Sequence, residues 1–440
     1  MLTLSVVGTG YLGATHAAGM AELGFNVIGL DMDERKIEAL AMGHLPFYEP
    51  GLPELLKKNL DSGRLRFTTD FTQIREADVH FVCVGTPQRQ DGNAADLTYV
   101  FSAVRAIAEI AKNDSLIVGK STVPVGTAEH LLAEIRRINP TLDLAWNPEF
   151  LREGFAIEDT LHPNRIIVGV QGDRAEGVLR QVYAGLLAQQ VPWIRSDLRT
   201  AELVKSAANS FLATKISFIN AMAEVCDAAG ADVTTLAAAI GYDPRIGNLF
   251  LQAGIGFGGG CLPKDLRSFM ARAEELGAKE ALDFLSDIDA INLRARNRMV
   301  EFAVAELDGD PVGKKVLVLG AAFKANSDDV RDSPALDIAD ALSQRGAQIV
   351  IHDPKAIENA RMRFPHLNYI RDVADGARGA DLILHLTAWS EYQNLDPAEL
   401  GRLVNRRRII DGRNSLSLAR WQSAGWTYLA PGRPRFEPHE

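Results

Sequence analysis

Short apolar runs alternate with amphipathic stretches through the first part of the chain. Leu4 to Val7 reads as a strand, Leu12 to Leu23 as a helix and Val27 to Leu30 as a second strand. Further strands are read at Val79 to Val84, Leu116 to Val118, Leu142 to Trp146 and Ile166 to Val170. Strands separated by helical patterns imply a parallel sheet flanked by helices. At Arg199 the texture changes. From there to Ala229 helical periodicity runs unbroken, with no proline or glycine, for roughly 45 Å at 1.5 Å per residue. Leu203, Ala207, Phe211 and Ile219 mark one apolar stripe along it. More helix is expected from Thr234 to Ile240 and from Leu266 to about Glu306. A second βαβ pattern follows Gly313: strand Val316 to Leu319, helix Pro334 to Gln344, strand Gln348 to His352, then strand candidates Leu382 to Leu386 and Arg408 to Ile410. The fold class is therefore α/β, with two Rossmann-like domains, 1–196 and 306–440, joined by a helical region, 197–305.

Size and charge narrow the function. A chain of 440 residues, 47% hydrophobic and 24% charged, fills sizeable cores and fits two or three domains. The formal net charge of −10 argues against general binding to nucleic acid or a membrane surface. It leaves room for a small anionic ligand. The start, MLTLSVVGTG, has no basic leader, and no run approaches the roughly 18 apolar residues of a membrane helix. The three cysteines, Cys83, Cys226 and Cys261, are odd in number and fit no zinc spacing, so reduced cytoplasmic thiols and no metal are expected. Cys83 and Cys226 sit in apolar patterns and read as buried. Pro431 to Glu440 reads as a loose polar tail.

Gly8, Gly10 and Gly13 form G-x-G-x-x-G directly after a strand and at a helix start. The first permits a tight turn, the second lets backbone approach a pyrophosphate, and the third lets helix pack on strand. Asp31 ends the second strand, where a carboxylate bonds a ribose 2′-OH and repels a 2′-phosphate, favouring NAD; a plain turn residue is the alternative. The second half lacks this fingerprint. Gly320-Ala321-Ala322-Phe323-Lys324 stands in its place, either as a purely structural turn or as a different nucleotide site with Lys324 near a phosphate. Five glycines crowd GIGFGGGCLPKD ahead of Cys261, which suggests backbone packed against a ligand or a neighbouring chain. Pro263 suits a first helical turn. Cys261 then lies at a helix N-terminus, where the dipole and Lys264 favour thiolate, unless it is simply a loop cysteine. Lys205 and Asn209 share a helix face, either as a snorkelling lysine with its neighbour or as an oxyanion pair. Lys120-Ser121-Thr122 and Asn147-Pro148-Glu149 follow strands, at the carboxyl ends where open sheets bind ligands. Glu149 and Glu153 read equally well as solvated carboxylates.

The ordered set GTGYLG, FYEPGLPELL, FVCVGTPQ, KSTVPVGT, NPEFLREG, LVKSAANSFLATKIS, GFGGGCLPKD, AAFKANSDDVRDSP and DGR resembles the UDP-glucose/GDP-mannose dehydrogenase family from residue 8 to residue 413. The resemblance implies an NAD domain, a helical dimerisation core and a UDP-sugar domain, and a homodimer or larger homo-oligomer. It implies Cys261 as nucleophile, Lys205 and Asn209 as oxyanion stabilisers, Asp265 as the carboxylate that orients water, Glu149 as an acid/base and Thr122 beside the reacting centre. Cofactor contacts are implied for Gly8, Gly10, Tyr11, Leu12, Gly13, Asp31, Lys36, Thr86, Thr122, Glu153, Lys264 and Arg331. Substrate contacts are implied for Phe150, Leu151, Lys205, Asn209, Phe250, Phe257, Gly258, Lys324 and Arg413, with Arg245 reaching from a partner subunit.

The implied reaction is a four-electron oxidation of a nucleotide sugar at C6 through a cysteine thiohemiacetal and thioester, with UDP-glucose as the expected substrate. GDP-mannose and UDP-N-acetylhexosamines are the alternatives. The latter branch usually lacks the C-x-P-K-D ending present here. Gly260, where many relatives have serine, and Leu262, where phenylalanine is common, are departures that bear on the hexose. A single-step hydroxyacid dehydrogenase needs no cysteine after a glycine run, and a non-catalytic sugar-nucleotide binder requires lost catalytic residues, of which none is lost.

Overall fold

The computed structural model describes residues 2–438, which form two compact units. One comprises residues up to 208 together with Arg267–Lys279. The other comprises Asn209–Leu266 together with residues from 280 onward.

The first unit is built on an eight-stranded sheet. Its strands are β1 (Thr3–Val7), β2 (Asn26–Leu30), β3 (Leu65–Thr68), β4 (Val79–Val82), β5 (Leu116–Gly119), β6 (Asp143–Trp146), β7 (Ile166–Val170) and β8 (Trp193–Ser196), in spatial order β3-β2-β1-β4-β5-β6-β7-β8. The central strands are buried on both faces. Leu4, Val6, Val27, Phe81 and Val118 join one apolar layer, while Val7, Ile28, Leu30, Val82 and Ile117 join the other. That period-two division is what a sheet covered by helices on both sides requires. The pairing is parallel throughout except between β6 and β7, which run antiparallel, so the wholly parallel sheet expected from the alternation is corrected to a mixed one. The helix Tyr11–Glu22 is buried continuously from Gly13 to Ala21 and lies against the first layer.

The second unit carries a six-stranded, all-parallel sheet: β9 (Lys315–Leu319), β10 (Gln348–His352), β11 (Asn368–Ile370), β12 (Leu382–His385), β13 (Arg408–Asp411) and β14 (Thr427–Leu429), in the order β11-β10-β9-β12-β13-β14. Both sheets place their first strand centrally, with the chain moving outward on either side, which is the doubly wound arrangement.

The long helix spans Leu198–Ala229, close to its expected limits, but its faces are reversed from the stripe read in sequence. Leu203, Ala207 and Phe211 are exposed, and only Ile219 of that set is buried. The buried face instead carries Glu202, Lys205, Ser206, Asn209, Ser210, Ser217 and Asn220. A helix that buries polar groups and exposes Phe211, Phe218 and Val225 inverts the usual amphipathic rule. The single helix expected from Leu266 to Glu306 is two, Leu262–Glu275 and Phe284–Glu306. Gly277, at φ 76°, accepts the left-handed conformation that ends the first.

The tail is not loose. The Gly432 N–H donates to Asp227 at 2.8 Å, the Val233 N–H donates to the Gly432 carbonyl at 2.8 Å, Arg435 pairs with Glu306, and Phe436 bridges to Tyr428. Residues 439 and 440 of that stretch lie outside the described residues. Among the described residues no helix is long and apolar enough to cross a membrane.

Candidate active site

In the first unit the glycine motif divides its labour as its spacing predicts. Gly8 has φ 89°, and a Cβ there would lie 2.8 Å from Val84. A Cβ at Gly13 would lie 1.7 Å from the Gly8 carbonyl oxygen. Both glycines are demanded by the protein's own packing. Gly10 differs: a Cβ on it meets no protein atom within 4 Å. It is the N-cap of Tyr11–Glu22, so the helix N–H groups open onto free space, the cradle that a pyrophosphate fits. Leu12 follows in the first turn of the same helix.

Asp31 closes this half. Its carboxylate accepts from the Thr9 N–H at 2.8 Å, the Asp33 N–H at 3.1 Å and the Lys36 ammonium at 2.9 Å. Burial pushes the carboxyl up, but Lys36 and the backbone donors outweigh it and hold it below the usual carboxylate range. An ionised Asp31 suits a ribose 2′-OH, so the residues present fit NAD. Lys36, expected at the cofactor, is Asp31's partner. Asp31→Ala frees that ammonium for a 2′-phosphate, and the ratio of kcat/KM for NAD to that for NADP is expected to fall about tenfold or more, ~1.4 kcal/mol. Steady-state assays with both cofactors check this, and an unchanged ratio contradicts it.

Two strand-end loops of this unit converge on the long helix. Lys205 is buried, its ammonium 3.2 Å from Glu149 Oε1 and 5.3 Å above the Phe150 ring. The other oxygen of Glu149 accepts the Leu151 N–H at 2.5 Å. The Arg165 guanidinium covers Phe150 at 3.9 Å. Glu149 is thus a paired carboxylate rather than a solvated one. Thr86 donates to the Thr122 carbonyl at 2.8 Å, which fixes the Lys120–Thr122 turn. Lys120 is itself buried and bonds Asn147 Oδ1 at 2.9 Å, with Tyr183 donating to the same oxygen at 2.6 Å.

In the second unit Cys261 is the N-cap of Leu262–Glu275: its carbonyl accepts the Asp265 N–H at 2.9 Å and its thiol is exposed. There the helix end stabilises developing negative charge. Burial pushes the Cys83 thiol up to about 12, and it also raises Cys226, so these two are the inert thiols their settings implied. One turn after Cys261, Asp265 is buried and accepts from Asn209 Nδ2 at 2.7 Å and Lys264 at 2.6 Å. Lys264, expected at the cofactor, is placed on Asp265.

The glycine run packs closely on other segments of this unit. A Cβ at Gly258 would lie 2.1 Å from the Asp332 carbonyl oxygen, and one at Gly260 would lie 2.3 Å from the Arg331 guanidinium. Glycine in place of serine at 260 leaves that room. Arg331 is exposed and paired with Asp329 at 2.7 Å. Phe257 is buried, its backbone clamped by Asn292 at 2.7 and 3.0 Å, whereas Phe250 stands at φ 63° and is 37% exposed. Arg413 donates to three carbonyls, Leu386 at 2.7 Å, Phe323 at 2.9 Å and Gly256 at 3.1 Å. Burial, with Arg296 nearby, pulls it down to about 10. In the second Rossmann turn the Ala321 and Ala322 N–H groups are taken by Asp353, at 2.8 and 3.0 Å. Arg245 lies exposed on its own loop, paired with Asp243.

Sequence reasoning gave no role to Glu49 or Glu202. Glu49 is buried and accepts from Tyr11 at 2.5 Å, Gly154 at 2.6 Å and Ala156 at 2.8 Å, tying the cofactor turn to the loop that carries Glu153. Its one signal was a carboxylate inside FYEPG. Glu202's was a second charge three residues from Lys205 in a buried helix.

Two doubly wound sheets, one with an open pyrophosphate cradle and an ionised aspartate beside it, define an NAD-dependent oxidoreductase. Three family models match in chain order: the NAD binding domain of the UDP-glucose/GDP-mannose dehydrogenase family over residues 2–187, its central domain over 199–294 and its UDP binding domain over 317–418. The chain belongs to the UDP-glucose/GDP-mannose dehydrogenase family. It is 41% identical to the UDP-glucose 6-dehydrogenase of Rhizobium meliloti over 98% of this chain and 100% of that one. Among solved structures it resembles a UDP-glucose dehydrogenase from Pyrobaculum islandicum, with TM-score 0.88 and 38% identity over 94% of this chain and 95% of that one. It also resembles a UDP-D-ManNAc dehydrogenase from Pyrococcus horikoshii, with TM-score 0.86 and 25% identity over 98% and 100%.

Proposed function

We propose that this protein oxidises UDP-glucose at C6 to UDP-glucuronate, consuming two NAD per sugar. The observation that carries the reading is Cys261 at a helix N-cap with the buried Asp265 one turn on, held by Asn209. NAD, when bound, accepts a hydride in each of two oxidations. The C6 hydroxyl loses its proton and the C6 carbon gives up a hydride, leaving an aldehyde. Cys261 Sγ adds to the carbonyl carbon, giving a thiohemiacetal, and loss of the second hydride leaves a thioester. Water, oriented by Asp265, breaks the C–S bond and gives the carboxylate and the free thiol. Lys205 and Asn209 stabilise the oxygen anions that develop, and the Lys205–Glu149 pair offers an acid/base couple. Holding the aldehyde on sulfur keeps it from escaping while the spent cofactor is exchanged.

UDP-glucose is preferred to GDP-mannose and UDP-N-acetylhexosamines because identity is higher toward the UDP-glucose relatives and the C-x-P-K-D ending is present. Initial rates of NADH formation across the three substrate types test this. A higher kcat/KM with GDP-mannose or a UDP-N-acetylhexosamine overturns the assignment. The odd number of cysteines and the demand for NAD support a cytoplasmic reading.

The functional unit is read as a homodimer. Phe211, Phe218 and Val225 recur at heptad spacing and are 66%, 47% and 58% exposed, with Tyr242 and Leu249 exposed in the same unit. Arg245 on that exposed loop is read as serving the partner's substrate. Phe211→Asp combined with Phe218→Asp is expected to give an inactive monomer by light scattering. A fully active monomer contradicts the reading.

A further inference from the structure

Glu202 is a buried carboxylate that the chemistry above leaves unused. It lies three residues before Lys205 and is 1% exposed. Its oxygens have separate partners: Oε2 accepts the Gly126 N–H at 2.6 Å and Oε1 accepts the Ala128 N–H at 2.6 Å. These N–H groups open the helix Thr127–Ile138, whose N-cap is Gly126 at φ 96°, with no side chain to cap it. Glu202 supplies, from a distant part of the chain, the anion that the local sequence omits. The loop that leads into Gly126 carries Thr122. Its end is held a second time by Arg272, which donates to the Val125 carbonyl at 3.0 Å.

We propose that Glu202 is a positioning residue: its ionised carboxylate grips both N–H groups, holds the Thr122 loop against the helical turn that presents Lys205, and lets go at one end when protonated. A carboxylate accepts at both oxygens. The acid form turns one oxygen into an O–H donor facing an N–H donor, so only one of the two bonds survives. Burial pushes Glu202 up to about 7, against the two N–H bonds that favour the charge. Glu129 on the capped helix adds to the rise and Arg272 opposes it. Glu129 is itself paired with Arg199, which with Lys205 makes up the charged neighbours on Glu202's own helix. The grip is therefore expected to form as pH rises through neutrality. The inference rests on Lys205 and Thr122 being groups of the reaction.

Glu202→Gln is the direct test, because an amide, like the protonated acid, offers one acceptor. With kcat and both KM values followed from about pH 5.5 to 9, the wild type is expected to gain kcat across neutrality. E202Q is expected to lack that rise and to have kcat about tenfold lower at alkaline pH, with both KM values within about twofold. Stability moves the other way. A carboxyl whose folded value is raised loses stability as pH rises through about 7, so E202Q is expected to melt no lower than wild type at alkaline pH. Glu202→Asp keeps the charge on a shorter arm and is expected to lower kcat while keeping the rise. Wild-type kcat and an unchanged pH profile in E202Q overturn the proposal; so does wild-type kcat in E202D, which decides the matter if E202Q does not fold. Lys205→Ala assayed alongside separates the two readings. Near-wild-type activity there removes Lys205 from the chemistry, whereas the E202Q profile reports on the grip alone.

Discussion

Cys261→Ala is expected to cut net acid production by about 10,000-fold or more, in line with removal of other covalent nucleophiles. In the proposed mechanism the thiol makes an aldehyde oxidisable and holds it between two hydride transfers, and alanine has no atom for either. Substrate affinity should change little, since the neighbouring Asp265 keeps its bonds to Asn209 and Lys264. Cys261→Ser separates the steps further. Serine is almost isosteric and can form an ester slowly, but an alkoxide leaves less readily than a thiolate, so hydrolysis should stall. A covalent sugar adduct in the serine variant, seen by intact-mass measurement and missing from the alanine variant, is the expected pair of results. Uronate formation in Cys261→Ala within about tenfold of wild type would mean that no covalent step occurs at this position. The glycine run would then serve only the packing on Asp332 and Arg331, and a hydrated aldehyde attended by Asp265 would be the better mechanism.

Lys205→Ala should carry the second largest effect. The ammonium sits in a slot formed by Glu149 and the face of Phe150, already desolvated and aimed before substrate arrives. Preorganised charge of this kind stabilises a developing oxyanion without reorganisation during the step, so kcat is expected to fall about 1,000-fold, ~4 kcal/mol, with KM changed by only about threefold. Arginine is not expected to rescue it, because a planar fork does not fit the site of a compact ammonium. The substitution also leaves the Glu149 carboxylate without its cation in a mostly buried setting, which costs about 3 kcal/mol of stability. Thermal melts run beside the kinetics separate the two effects. A variant that melts lower yet keeps its kcat would make the pair structural.

What the sequence made legible was local. The G-x-G-x-x-G turn, Asp31 at the end of β2 and Cys261 at a helix N-cap each follow from residues a few positions apart, and each is found where it was expected. What it concealed was set by partners far along the chain. Glu49 meets Gly154 across 105 positions and Glu202 meets Gly126 across 76, and neither pairing leaves a periodic trace. The antiparallel β6–β7 pair is likewise a non-local choice. The long helix was found but turned the wrong way, because reading apolar positions as buried fails when a helix buries Glu202, Lys205 and Asn209 and turns Phe211 outward. The tail looked solvent-bound by composition, yet Asp227 and Glu306 had been waiting for Gly432 and Arg435 in elements formed hundreds of residues earlier or more than a hundred. Glu149, which sequence left open between a solvated carboxylate and a site residue, and Asp265, read in a first helical turn, are each matched by a nitrogen donor from the long helix, Lys205 for one and Asn209 for the other.

The count of NADH released per molecule of acid formed tests the central claim most directly. With UDP-glucose as limiting substrate and NAD in excess, two-step oxidation on Cys261 predicts about two NADH for each UDP-glucuronate and no accumulating free aldehyde. A ratio near one, with the aldehyde as the end product, would contradict it.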